Sequence, residues 1–575
     1  LGAVTGGGSA QGKSVDVQKN YELQNLTTMT LGQHTVTFGA RFRDGSDANT
    51  SNANFNGIFT FPTLTAYQIT EQGIEQGLTF AQIRAAGGGP SQFSVTAGTP
   101  LSKISLADLG LYGEDEWRMR PNISLSLGLR FETQNDIHDH ADFAPRLGFA
   151  WGIGRGKSPK TVLRTGFGIF YDRFEQEQVL EAERLNGVNQ QQLRVTNPDF
   201  FPAIPPINTL TNYATSPSLY QIDPRLRAPY TIQSAIGLER QVSRKITASV
   251  TYLNSHGVHQ LLTRNINAPL PGQYEPSDPA FGRPFASGDA CVVAPAVPEC
   301  ASGFAGNIYQ YESDGLYNQN ELIANFRVNE GPRLMLFGFY TLNYANSDTA
   351  GANSFVSNPY DILEDYGRAT FDIRDRVVVG GAIGLPFGFR LLPFVIGNSG
   401  TPYNITLGQD LLGTSIFDQR PAFASPGATG PNIVVTRLGT FDTAPEPGAA
   451  LIPVNYGTGP GAFSLNIHLS KTIGFGKRVE HAGGGGGGWH GHHGGLGGRG
   501  LSGGGSPNIW RSPENYRYNL TFGVAVHNLF NNVNLGMPVG NLGSPLFGQS
   551  NSLAGGPFST QAANRRIDVQ VRFSF

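Results

Sequence analysis

The chain has 575 residues, with 41 Lys and Arg against 43 Asp and Glu, and this near-neutral balance, with no basic stripe, argues against a nucleic-acid partner. Hydrophobic residues make up only 39% and charged residues 15%, yet there are 37 Phe and 20 Tyr, an aromatic load suited to interface girdles rather than to a small core. No apolar run reaches the roughly 18 residues of a membrane-crossing helix, but a crossing strand needs only roughly 9–11 residues of alternation and leaves no such run.

In chain order, Val15 to Met29 and Gln33 to Arg43 read as a first antiparallel pair, closed by the Leu31-Gly32-Gln33 turn. A long polar stretch, about 44–102, follows, in which Ala66 to Ala86 reads as helical. Ile104 to Arg118 resumes strand character, and beyond the Met119-Arg120-Pro121-Asn122 turn Ile123, Leu125, Leu127, Leu129 and Phe131 alternate with Ser124, Ser126, Gly128, Arg130 and Glu132. Phe143 to Ile153 and Thr161 to Tyr171 pair through the basic turn Gly154 to Lys160. After an excursion at about 172–227 come Tyr230 to Gln241 and Lys245 to Leu262, then an excursion at about 263–317. Asn320 to Val328 pairs with Arg333 to Asn346, and beyond about 347–374 Arg376 to Leu385 pairs with Phe389 to about Ile405. The last excursions, about 406–461 and 531–564, flank Ala462 to Phe475, a Gly/His-rich turn at about 476–515, and Tyr516 to Leu529.

The closing stretch alternates without error. Ile567, Val569, Val571, Phe573 and Phe575 share one face, and Asp568, Gln570, Arg572 and Ser574 the other. One face is suited to hydrocarbon and the other to water, so the expected fold is all-β: an antiparallel transmembrane β-barrel of the outer-membrane type with about 15 strands in this chain. Connections alternate in size, so the short turns are expected on the periplasmic side and the long loops outside. An odd strand count leads to the expectation that N-terminal strands are missing, because bacterial single-chain barrels have an even number.

Cys291 and Cys300 lie close together in a Pro/Gly-rich excursion, a spacing that suits one disulfide in an oxidising compartment. His490, His492 and His493 are candidate ligands for Zn, Cu or Ni, but poly-Gly around them offers no group to orient the rings, so a plain turn is the expectation and no cofactor is assigned. His138, Asp139, His140 and Asp142 read as a solvated polar tip, and the acidic group Asp361, Glu364 and Asp365 fits no EF-hand spacing. Arg130, Glu132, Asp568 and Arg572 are expected to face the lumen and to pair with each other or with a plug, with substrate contact as the alternative. No nucleophile elbow, zincin helix or phosphate loop occurs, so the chain does not read as an enzyme.

The stretch Trp117-Arg118-Met119-Arg120-Pro121-Asn122-Ile123-Ser124-Leu125-Ser126-Leu127-Gly128-Leu129-Arg130-Phe131-Glu132 resembles a segment of TonB-dependent receptors. Ala144-Pro145-Arg146-Leu147-Gly148-Phe149-Ala150-Trp151, Asn528 to Asn534 and Gly536 to Gly548 are similar to the Oar-like group of acidobacteria. The resemblance implies a barrel of about 22 strands with an N-terminal plug, located in the bacterial outer membrane. Its implied partners are membrane lipid, the TonB complex acting through a plug that this chain lacks, and an unidentified extracellular substrate. A surface-exposed structural or adhesin-like protein, whose barrel only anchors its loops, is the alternative.

Overall fold

The computed structural model describes residues 4–7, 12–154, 159–210, 215–275, 278, 280–285, 306–331, 333–446, 449–478, 516–559 and 562–575. Fifteen strands form one antiparallel wall in which each strand pairs with the next: β1 Ser14–Leu31, β2 His34–Ser51, β3 Leu101–Arg120, β4 Ile123–Gln134, β5 Asp142–Ile153, β6 Thr161–Tyr171, β7 Tyr230–Gln241, β8 Ile246–Asn265, β9 Ile308–Asn329, β10 Leu334–Ser347, β11 Asp375–Gly384, β12 Phe389–Asn398, β13 Ala462–Arg478, β14 Tyr516–His527 and β15 Arg566–Ser574. Among the described residues the wall is not closed: β1 and β15 are its two edges and are not paired with each other. Among the described connections, short turns lie at one end and the excursions at the other, which fixes an up-and-down meander; 479–515, which also joins two strands at the turn end, lies outside the described residues.

Register carries the sequence alternation from strand to strand. Val250 of β8 lies opposite Leu238 of β7 and Ala324 of β9, and Ala324 lies opposite Tyr340 of β10, which in turn faces Val377 of β11. The next row, one residue along, is polar: Glu239, Ser249 and Asn325 sit side by side, and the Asn325 amide donates to Ser249 at 3.3 Å. Exposure runs opposite to that of a water-soluble sheet. Leu129, Leu238 and Val250 of the apolar rows are 51%, 47% and 50% exposed, whereas Asp108 and Ser464 on the other face are buried. A wall of this kind is stable only where hydrocarbon covers its outer face and polar groups fill the inner one.

Aromatic rings mark both rims of the apolar face, where an amphipathic ring can lie between oil and water. At the turn end Trp117 stacks on His34 (5.3 Å), and Phe475, Tyr518, Phe573 and Phe575 stack in series. At the excursion end Phe131 meets Phe143 (5.3 Å) and Tyr171 meets Tyr230 (5.2 Å). No helix among the described residues is long and apolar enough to cross a membrane.

The excursions form a folded cap. A second sheet of Val4–Gly7, Ile58–Phe61, Gln92–Gly98, Gln190–Thr196 and Thr215–Ile222 joins the wall through a parallel pairing of Leu219 with Ile308. Under it lies a dry core of Phe59, Phe61, Phe93, Val95, Leu193, Val195, Phe201 and Leu210. The helical expectation for 66–86 resolves into two helices, α1 Leu64–Glu75 and α2 Phe80–Ala85. Thr63 caps the first by accepting from the Ala66 N–H at 3.0 Å, and Thr79 with Gln82 forms a capping box on the second.

Several boundaries differ from the sequence reading. Residues 44–51, expected in a loop, continue β2 because β1 and β3 pair with them on both sides, and 308–317, also expected in a loop, begin β9 because β8 pairs along them and Leu219 to Ile222 flank the first four. Both stretches hold turn-forming Asp, Gly, Ser or Asn, and the neighbouring strands override that local preference. Conversely β12 ends at Asn398, before the expected limit near Ile405.

Candidate functional site

The inner face of the wall is charged on one side. Asp108 of β3, almost fully buried, receives Arg43 of β2 at 2.8 Å and Arg173 at 3.0 Å. Arg173 also approaches Glu132 of β4 at 3.8 Å, and Glu132 pairs with Arg130 two residues earlier on the same face. Arg173 does not belong to the wall. It opens the excursion after β6, so this network pins the excursion to the inner surface.

The same excursion then lays helix α3, Gln176–Arg184, over the mouth. The Phe174 carbonyl accepts from the Gln134 amide at 2.7 Å, the Tyr311 hydroxyl donates to Glu181 at 2.6 Å, and Arg184 donates to Asn49. Phe174, Val179 and Ala182 pack with Ile137, Leu226, Ala228 and Tyr311, which binds two excursions and the start of β9 into one cluster. Replacing Asp108 with Ala would leave two guanidinium groups facing each other. Because both keep partial solvent contact, we expect a loss of about 2 kcal/mol rather than the larger cost of a fully buried pair. Proteolysis of 172–186 at unchanged wall stability would register it, and Asp108→Ala with wild-type protection would contradict the pinning.

Elsewhere on the inner face, neutral side chains also bond to one another. The Gln319 amide donates to Asn343 at 2.6 Å, and Thr472 and Thr521 share a hydroxyl contact at 2.9 Å. Near the edge, Asp568 of β15 pairs with His527 (3.1 Å) and Arg566 (3.0 Å).

The excursion after β12 carries the most polar interior of the cap. Arg420, fully buried, pairs with Asp365 at 3.0 Å and donates to the Glu364 carbonyl oxygen at 2.8 Å. Beside it, burial and the neighbouring Asp365 push the Asp418 carboxyl from its ordinary 3.8 up to about 6. The fold therefore favours the neutral acid. That contribution to stability is full below pH about 4 and is lost as pH rises through about 6. Asp418→Asn, neutral at every pH, is expected to stabilise the cap by up to about 3 kcal/mol at pH 7.5 and by nothing at pH 4. Thermal melts of the two proteins at both pH values would show it, and equal melting temperatures at pH 7.5 would exclude it.

An inside-out wall with aromatic rims and a polar lumen is the architecture of an outer-membrane barrel. The family described as Outer membrane beta barrel domain matches residues 1–142 and 137–481, most of the chain. The chain belongs to this outer-membrane β-barrel family. It is accordingly a protein of the bacterial outer membrane. No curated protein matches the sequence. Among solved structures it is similar to the outer membrane transporter YddB of Escherichia coli, at 11% identity and a TM-score of 0.49, covering 97% of this chain and 54% of that one. It is also similar to the FrpB iron transporter of Neisseria meningitidis (10%, TM-score 0.46, 98% and 55%). A third is the ferric enterobactin receptor of Pseudomonas aeruginosa (12%, TM-score 0.45, 98% and 54%). The barrel chain spans little more than half the length of these proteins.

The barrel places the sequence candidates as follows. Ile567, Val569, Val571, Phe573 and Phe575 lie along β15 and its end, 52% to 92% exposed. Arg130 and Glu132 pair as expected for one face. Cys291, Cys300, His490, His492 and His493 lie outside the described residues. The 138–142 stretch is not a fully solvated tip: Asp142 is buried, Asp139 accepts from the Ala228 N–H at 3.0 Å, and the His138 N–H donates to the Leu226 carbonyl oxygen at 2.6 Å. In the acidic group, Asp365 accepts from the Ser357 N–H and hydroxyl and pairs with Arg420, and Glu364 accepts from Asn358. Protein donors already fill these carboxylates, and among the described residues no group of three His, Cys, Asp or Glu is placed to hold a metal ion. Sequence reading missed Asp108 and Arg173. Their contact joins a strand to a distant excursion, and nothing in either local pattern announces it.

Proposed function

We propose that this barrel is the wall of a TonB-dependent receptor of the Oar-like group, which takes up a solute bound first by the excursions. In this reading the excursions face the outside and the tight turns the periplasm, with Cys291 and Cys300 forming a disulfide outside the cell. Ile567, Val569, Val571, Phe573 and Phe575 face lipid. The TonB complex, acting on a plug, opens the lumen, and the chain carries out no covalent chemistry. The observation that supports it is the polar, ion-paired inner face running beneath a folded cap, together with the motifs from Trp117 to Glu132 and from Ala144 to Trp151.

The test is growth on candidate nutrients of strains lacking either this gene or TonB. Equal loss of uptake in both supports the receptor, and uptake that persists without TonB refutes it. The self-contained core of the second sheet favours an anchor reading as well, since such a module could bind a partner without transport. A deletion that abolishes surface attachment while leaving every uptake intact would select that reading.

A further inference from the structure

The excursions differ sharply in charge from the rest of the chain. Residues 52–100, 135–141, 172–229, 266–307, 348–374, 399–461 and 528–565 together hold 24 Asp and Glu against 12 Arg and no Lys, a net of −12 in a chain of net −2. The sharpest concentration lies where three excursions meet. The Tyr360 hydroxyl donates to the Ala268 carbonyl oxygen at 2.5 Å, Arg283 donates to the Gly413 carbonyl oxygen at 2.6 Å, and Arg420 reaches the Glu364 carbonyl oxygen. These contacts hold the described residues of 268–283, 360–366 and 410–420 together.

Within those three segments the only cations are Arg283 and Arg420, and both are buried, their guanidinium groups turned to backbone carbonyls and Asp365. What remains at the surface is of two kinds. Glu275, Asp278 and Asp361 are exposed carboxylates, and Phe281, Leu363 and Phe417 are large apolar side chains more than half exposed. Large exposed apolar groups carried on segments that such contacts tie together are the feature expected of a binding face. A surface whose charges are all of one sign selects a partner of the other sign and speeds its encounter.

We propose that this junction is a docking face for a cationic peptide that carries apolar side chains, its Lys or Arg groups meeting Glu275, Asp278 and Asp361 and its apolar groups meeting Phe281, Leu363 and Phe417. Charge complementarity sets the sign of the ligand, and the exposed apolar side chains require more than a bare polycation. The proposal names a ligand class for the receptor reading and rests on the excursions facing outward.

The test is binding to outer-membrane vesicles carrying the full-length protein, read by fluorescence anisotropy without any uptake step. Three labelled probes are compared: a Lys/Leu/Phe peptide, its Glu-for-Lys counterpart and its Ser-for-Leu/Phe counterpart. The first is expected to bind at least about tenfold more tightly than either other and to weaken steeply between low and physiological salt. The paired substitutions Asp278→Asn with Asp361→Asn, and separately Phe281→Ser with Leu363→Ser, should each cost about tenfold. Equal binding of the acidic probe, equal binding of the Ser probe, or variants as tight as the parent would overturn the docking face. Because the readout needs no transport, a protein that binds but takes up nothing would refute the receptor reading and leave this one standing.

Discussion

Val250→Arg is expected to destabilise the folded wall by about 2–4 kcal/mol, while Thr251→Arg, one residue along the same strand, is expected to change it by less than about 1 kcal/mol. Val250 lies midway along the apolar row of β8, between Ala248 and Tyr252, with Leu238 and Ala324 as its cross-strand neighbours. It is half exposed, so no protein atom would shield an arginine placed there and hydrocarbon would be its only surrounding. Thr251 lies opposite Gly237 and Ile323 on the inner face, where a guanidinium group can reach water. Urea unfolding in lipid vesicles, followed by heat-modifiable migration, separates the two variants. A reversed order would mean that the apolar rows face inward, and the whole assignment of wall faces would then fail.

That pair of adjacent residues also shows why the wall was legible in the sequence. A strand with oil on one side and water on the other must alternate without slipping, because one error puts a charge into hydrocarbon, so Ile123 to Glu132 and Ile567 to Phe575 carry the pattern in plain form. Arg130 and Glu132 could be paired from spacing alone, since residues two apart share a face. The cap obeys no such rule. Gln190–Thr196 opens with three glutamines and resembles a polar loop, and it becomes a strand because Gln92–Gly98, far away in the chain, supplies its hydrogen bonds. The same holds for 44–51, a run of Asp, Gly, Ser, Ala, Asn and Thr that is a strand only because β1 and β3 flank it. The pinning of Arg173 to Asp108 likewise depends on how an excursion folds back, which local periodicity does not encode.

Phe93→Ala should have the largest effect of any single change in the cap, a local loss of about 3–5 kcal/mol, with the wall left intact. The ring is fully buried, its centroid 4.6 Å from that of Phe59 and 5.3 Å from that of Phe200, and it lies against the backbone at Gly57, where an added Cβ would sit only 2.5 Å from the ring. The surrounding side chains come from two excursions, so the cavity cannot close without shifting the sheet that joins them. The wall is expected to be spared because, among the described residues, the one strand pairing of this second sheet with it is the parallel one of Leu219 to Ile222 with Ile308 to Tyr311. Limited proteolysis of intact cells should therefore cut within 52–100 and 187–218 in the variant, while the heat-modifiable band of the wall remains. If the wall unfolded together with these segments, cap and wall would be one cooperative unit. The excursions would then contribute to the stability of the barrel as well as to binding, and the separation between anchor and module on which the alternative function depends would be lost.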